Sequence, residues 1–194
     1  MNQILINSPD WLIRFEADSQ SKTFSEEARS LLAIEVSRKN LEFKTGGPFG
    51  AAVFEDCTGR LLALGNNMVV TQNQSMLHAE VTAIMRAQNV FKNFDLSSTT
   101  KVSLYASGQP CCMCMGAIWW SGVQKLVYCA SASEIERITG FKEGPLPEDW
   151  RTQYQERKQL PPIEVVGPIM QQVAAEVLQT YVDQGGFTYN AGSK

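Results

Sequence analysis

The chain has 194 residues, of which 44% are hydrophobic and 19% charged. That is enough for one globular domain with a filled core and a short appendage. A formal net charge of −3 disfavours a broad basic surface for nucleic acid. No apolar run reaches the roughly 18 residues of a membrane span. Ile4 to Ile6 is too short for a signal-peptide core and has no basic residues before it, so a cytoplasmic protein with no membrane partner is expected.

Residues 1–25 carry no sustained period and read as an N-terminal extension, with residues 26–194 as the domain. Ser25 is placed to N-cap a helix in SEEARSLLAIEVSRKNLEF, with Glu26 and Glu27 at its positive end and Ala28, Leu31, Leu32 and Val36 along one face. TGGPFG ends this helix and opens a strand, AAVFED; CTG turns the chain into RLLALG, and the pair predicts a hairpin. After a polar loop, AEVTAIMRAQNVF predicts a helix with Val81, Ile84 and Met85 facing inward. KVSLYAS predicts a strand. PCCMCMGAIWWSG predicts a short helix, with Pro110 in its first turn and Gly122 at its end. KLVYCA predicts another strand and SEIERI a helical turn or two. TGFKEGPLPEDW is a Gly/Pro-rich loop and IEVVG a last strand. PIMQQVAAEVLQTYVDQ predicts a final helix started by Pro168, lined by Val173, Ala174, Val177, Leu178 and Tyr181, and stopped by Gly185 and Gly186. Strands alternating with helices predict a layered α/β domain.

The cysteines point to chemistry. Cys57, Cys111, Cys112, Cys114 and Cys129 form an odd set with three members in four positions. In a reducing compartment such crowding suggests a metal or catalysis more than disulfides. On a helix Cys111 and Cys114 share a face, and Cys112 is turned about 100° away. A helix N-terminus favours thiolates, and two thiolates are half of a tetrahedral zinc site. A C-x-x-C pair alone also fits a redox couple or half of a structural site. However, Cys57 and Cys129 supply no second C-x-x-C, and His78, the one histidine of the chain, lies at the start of another predicted helix. With His78 as third ligand the fourth position stays open to water, as catalytic zinc requires.

Glu80 stands two positions after His78. On a helix the two point to opposite sides, so both reach one target only beyond the helix N-terminus. Zinc lowers the pKa of bound water from ~15.7 toward roughly 7. A carboxylate beside that water can take its proton and pass it to a substrate nitrogen. Singly, a lone histidine, a first-turn glutamate and buried thiols are ordinary. Together, H-x-E followed after about thirty residues by P-C-x-x-C is the signature of zinc deaminases.

HAEVTAI from His78 and PCCMCMGAIWW from Pro110 resemble the cytidine-deaminase-like superfamily. Within it, GGPFGAAVF (Gly46 to Phe54), GNNMV (Gly65 to Val69), HAE and PCxMCxGAIxW are similar, in that order, to bacterial guanine deaminases, over roughly residues 26–190. The resemblance implies a three-layer α/β/α sandwich around a five-stranded mixed sheet, working as a homodimer. It implies one Zn²⁺ per chain on His78, Cys111 and Cys114, with Glu80 as proton shuttle. Substrate contacts fall to Phe49, Asn66, Ala79, Trp120 and Tyr189, with Asn190 a further candidate in the tail GGFTYNAG. A second acid is implied in the loop GFKEG, at Glu143, with Glu134, Glu136 and Glu148 as competitors. The implied reaction is the hydrolysis of guanine to xanthine and ammonia in purine catabolism, with attack at C2, proton delivery to N3 by Glu80 and help to the departing amine from Glu143.

Two departures stand out. Gln109 replaces the glutamate that this family carries before Pro-Cys, and Cys112 replaces a proline or small apolar residue, adding an oxidisable thiol near the metal. The competing readings are deamination of another small heterocycle (an aminotriazine, cytosine or a nucleoside), editing of adenosine or cytidine in nucleic acid, and a non-catalytic zinc module. Glu80, of no use for metal binding alone, speaks against the last.

Overall fold

A computed structural model describes residues 4–158, 160–190 and 192. Residues 1–3 of the expected extension, Gln159, and Ala191, Ser193 and Lys194 of the tail lie outside that range. The five expected strands form one sheet in the order β2-β1-β3-β4-β5. Strands β1 (Gly50–Glu55) and β2 (Leu61–Asn66) make the antiparallel hairpin, with Gly50 opposite Asn66. β3 (Val102–Gly108) runs antiparallel to β1, and β4 (Lys125–Ala130) and β5 (Glu164–Val166) continue in parallel. Every residue of β2 and β3 is buried, as expected of apolar runs covered on both sides.

Strand alternation sorts the core into two layers. Ala52, Phe54, Tyr105 and Val127 pack with Leu12 of α1 (Asp10–Gln20) and with Ala33 and Val36 of α2 (Glu26–Glu42). On the opposite face, Ala51, Val53, Leu104 and Ala106 pack with three helices. These are α4 (Ala79–Phe91), α5 (Cys112–Ser121) and α7 (Trp150–Gln155). The single turn α3 (Val69–Gln72) precedes α4. A third cluster joins α2 to α6 (Ala132–Thr139) and α8 (Gln171–Asp183). The result is the expected three-layer α/β/α sandwich.

Several elements differ from their sequence reading. The stretch read as an extension carries α1, docked on the domain. Its Leu12 is fully buried, and Glu16 accepts the Leu64 N–H at 2.6 Å and pairs with Arg86 at 2.5 Å. Part of that anchoring is polar, through Glu16, and such bonds leave no trace in hydrophobic period. On α2, Ser25 caps the Ala28 N–H at 3.2 Å, but Leu31 is exposed and Ile34 and Leu41 are buried instead. The helix touches both the sheet and α8, so its apolar face is wider than one stripe. On α4, Met85 points to solvent, and the stripe Ala79, Ala83 and Ala87 meets the sheet. It crosses at Gly65, where any side chain would strike the Ala79 carbonyl and Ala83. α8 begins at Gln171, three residues beyond Pro168, because Met170 takes a left-handed conformation (φ 53°) that breaks the helical path. α5 begins after Cys111, which is its N-cap, so Pro110 stands outside it; Gly122, at φ 83°, ends it. The short helices α3 and α7 have no signal in the sequence reading.

Candidate active site

Two helices aim their N-termini at one point. His78 is the N-cap residue of α4 and Cys111 that of α5. The His78 side chain makes no capping bond, and its Nδ1 lies 3.5 Å from Cys111 Sγ. Cys111 Sγ accepts the Cys114 N–H at 3.5 Å, which closes the first turn of α5. One donor atom each from His78, Cys111 and Cys114 all lie within 4.8 Å of one another. Tetrahedral zinc with Zn–S ~2.3 Å and Zn–N ~2.0 Å sets such atoms roughly 3.5–3.8 Å apart. The trio therefore fits a single ion, with His78 ligating through Nδ1.

The electrostatics agree with a cation. Cys111 is drawn down to about 4, first by its hydrogen bond with Cys114 and then by His78. Cys114 is pushed well above an ordinary thiol by the same shared hydrogen bond and by burial. Burial pulls His78 down, but the Cys111 hydrogen bond and the Glu80 charge outweigh it and leave it raised. Two thiols sharing one proton beside a carboxylate make a field that a divalent ion would neutralise.

Glu80, only 8% exposed, sets Oε2 3.5 Å from Cys114 Sγ. It is raised by burial and then by the Cys111 charge. His78, Glu80 and Cys111 line a cavity of about 230 Å³, smaller than the roughly 300–1,000 Å³ of sites that enclose drug-sized ligands. Phe49 and Phe141 meet edge to face at its side, with ring centres 5.6 Å apart, and Tyr189 stands 4.6 Å from Phe141. Glu143 faces the same space. Burial pushes it up to about 8, and its carbonyl accepts the Cys112 N–H at 2.9 Å. A larger groove of about 790 Å³ lies beyond Tyr189 and contains none of the metal donors.

The tail folds back over the cavity. Thr188 Oγ1 donates to the Thr139 carbonyl at 2.7 Å, and Asn190 lines the rim. The Tyr189 hydroxyl is buried against Gly47 and lacks a partner among the described residues. Cys112 is exposed at the rim, its sulfur packed on Gly144. Of the three glutamates weighed against Glu143, none lines the cavity. Glu134 and Glu136 instead pair with Arg137 and Lys142 on the surface.

Other expected contacts fall elsewhere. Trp120 does not line this cavity: it is 80% exposed. The buried face of α5 is Cys114, Met115, Ile118 and Ser121, and Trp120 projects away from it. Ala79 belongs to the core beneath the site. Asn66 is fully buried behind Asn67, which does reach the cavity. Its Nδ2 donates to Asn40 Oδ1 at 2.8 Å, and its Oδ1 has no partner among the described residues. Asn40 escaped the sequence reading, yet its Nδ2 donates to the carbonyls of Gly47 and Asn67 at 2.7 and 2.9 Å. It thereby ties the glycine-rich loop to the end of β2. Phe141 escaped too; a phenylalanine in a Gly/Pro loop carries no positional signal.

A model of the cytidine and deoxycytidylate deaminase zinc-binding region matches residues 25–130. The chain belongs to this deaminase family. Guanine deaminase of Bacillus subtilis is 37% identical over 111 residues, 57% of this chain and 67% of that protein. A tRNA-specific adenosine deaminase of Buchnera aphidicola is 40% identical over 97 residues, covering 50% of this chain and 60% of that protein. The solved structure of guanine deaminase from Nitrosomonas europaea superposes with a TM-score of 0.84 at 36% identity, over 93% of this chain and 97% of that one. As the deaminase family requires, the donor set for one zinc is in place.

Proposed function

We propose that the protein is a zinc-dependent hydrolytic deaminase that converts guanine to xanthine and ammonia. The observation that carries this reading is the likeness to the Nitrosomonas guanine deaminase over 93% of this chain and 97% of that one. A tRNA-specific adenosine deaminase of Streptococcus pyogenes reaches 79% of this chain, but at 27% identity. The small cavity and the net charge of −3 also favour a free base over a polynucleotide.

His78, Cys111 and Cys114 would hold the metal, which when bound supplies a Lewis acid that acidifies a coordinated water. Glu80, held beside Cys114, accepts the proton of the attacking water and delivers it to N3 of the base. Glu143, whose burial favours the protonated carboxyl, hands a proton to the amine leaving C2. Phe49 and Phe141 offer apolar edges to a flat ring, and Tyr189 closes the cavity over it. Asn66 stands behind Asn67, which lines the cavity, and its amide oxygen has no partner among the described residues. Xanthine and ammonia place the reaction in purine catabolism, and we assign it to the cytoplasm. Among the described residues no helix is long and apolar enough to cross a membrane. We further propose a homodimer, supported by the bare Trp120 on α5.

The test is ammonia release from guanine, cytosine, cytidine, adenosine and aminotriazines by zinc-loaded protein. Guanine should give the highest kcat/KM; a higher value for any other member would overturn the assignment.

A further inference from the structure

Glu143 depends on the backbone for its place in the cavity. Residues 140–147, between α6 and α7, form no helix or strand. The Glu143 carboxyl makes no hydrogen bond among the described residues. Its direction is therefore set by the path of the main chain. That path is held by the first turn of α5. Cys112 is the first residue of this helix, so its N–H is one of the orphan donors of a helix start. It donates to the Glu143 carbonyl at 2.9 Å. At the next residue, Gly144, φ is 76°, and a Cβ there would lie 2.5 Å from Cys112 Sγ. The loop thus meets the helix at a distance that only glycine allows. The same turn carries Cys111 and Cys114, two of the metal donors.

We propose that Cys112 is a positioning residue: its backbone N–H, with Gly144 closed against its sulfur, fixes the Glu143 carboxyl relative to the metal donors. The proposal rests on the deaminase reading and on the role of Glu143 given above. A general acid works only within hydrogen-bond reach of the group that it protonates, and a loop free to drift spends part of its time out of reach. Because one turn of α5 bears both sulfurs and the tether, acid and metal hold a common geometry. A purely structural role, the satisfaction of a helix-end N–H, predicts a change in stability and none in turnover.

C112P deletes the N–H yet suits the helix. Proline is favoured at the first helical position, and Cys111 already has the extended backbone (φ −67°, ψ 170°) that a following proline requires. C112A keeps the N–H and removes only the sulfur. With zinc per chain verified, C112P should lower kcat for guanine about tenfold and leave KM within about threefold, while C112A stays within about threefold in both. A wild-type kcat in C112P would overturn the proposal, whatever its thermal midpoint. Equal losses of kcat in C112P and C112A would overturn it too, since the thiol and not the N–H would then matter. In an E143A background the group being positioned is gone, so C112P should change the residual kcat less than about threefold; a further fall of about tenfold there overturns the proposal. If E143A releases no measurable ammonia, the ratio of C112P to C112A decides alone. If C112P does not accumulate folded with zinc, G144A takes its place: its Cβ pushes the loop off Cys112, and a wild-type kcat overturns the proposal. If wild-type protein leaves guanine untouched, the guanine assignment fails instead, and the same ratios are measured on the base that it does deaminate.

Discussion

At the scale of single residues, the site divides between metal donors and a proton carrier. Glu80 lies against Cys114 but outside the trio of donors whose spacing fits zinc. Glu80→Gln should therefore retain about one zinc per chain and lose at least ~10²-fold in kcat. Metal analysis alongside ammonia release checks both halves, and a variant with full turnover would remove the proton shuttle. Cys112 stands at the rim with its sulfur on Gly144, turned from the metal donors. Cys112→Ala should thus keep its zinc; metal loss would mean that the third thiol takes part in binding. His78, Cys111, Cys114 and Glu80 were legible because H-x-E and C-x-x-C each place two groups at a helix start. Asn40 was not, because its neighbours Gly47, Asn66 and Asn67 come from other elements.

At the scale of elements, backbone proximity decides where the helices sit. α4 rests on β2 through Gly65, and the alanine stripe of α4 allows the approach. Gly65→Ala should cost about 1–3 kcal/mol by overpacking. Because His78 heads α4, it should also disturb zinc retention. Gly116, inside α5, is the control: a Cβ there meets nothing within 4 Å. Gly116→Ala should gain roughly 0.5–1 kcal/mol from helix propensity. Denaturant midpoints with unchanged m-values report both, and equal effects at the two sites would refute the packing account. The five strands were legible from short apolar runs. The starts of α5 and α8 were displaced because Cys111 and Met170, rather than the prolines, set the local backbone.

At the scale of the whole molecule, a zinc ion on His78, Cys111 and Cys114 would join α4 to α5 on one face of the sheet. Chelation should lower the thermal midpoint by roughly 5 °C or more, and added zinc should restore it, since a ligand that binds only the folded state stabilises it by mass action. A scan unchanged by chelator would mean that the site contributes nothing to the fold. The dimer is tested by sedimentation: the mass should be twice the 21.5 kDa chain, and Trp120→Asp should shift it toward the monomer. A wild-type monomer at micromolar concentration would end that reading. The docked α1 also belongs to this scale, since its Glu16 joins β2 and α4 at once.

The amino-acid order alone determined the five strands and the helices α2, α4, α5, α6 and α8, which side chains can donate to zinc, and which carboxylate follows the histidine. These follow from local period and spacing, which a chain carries wherever its segments pack. Only the tertiary structure decided that Phe141 lines the cavity, that Asn40 ties together the loop and strand beside it, and that Trp120 leaves it. Those outcomes depend on the directions of side chains from elements far apart in sequence, and no local pattern encodes such directions.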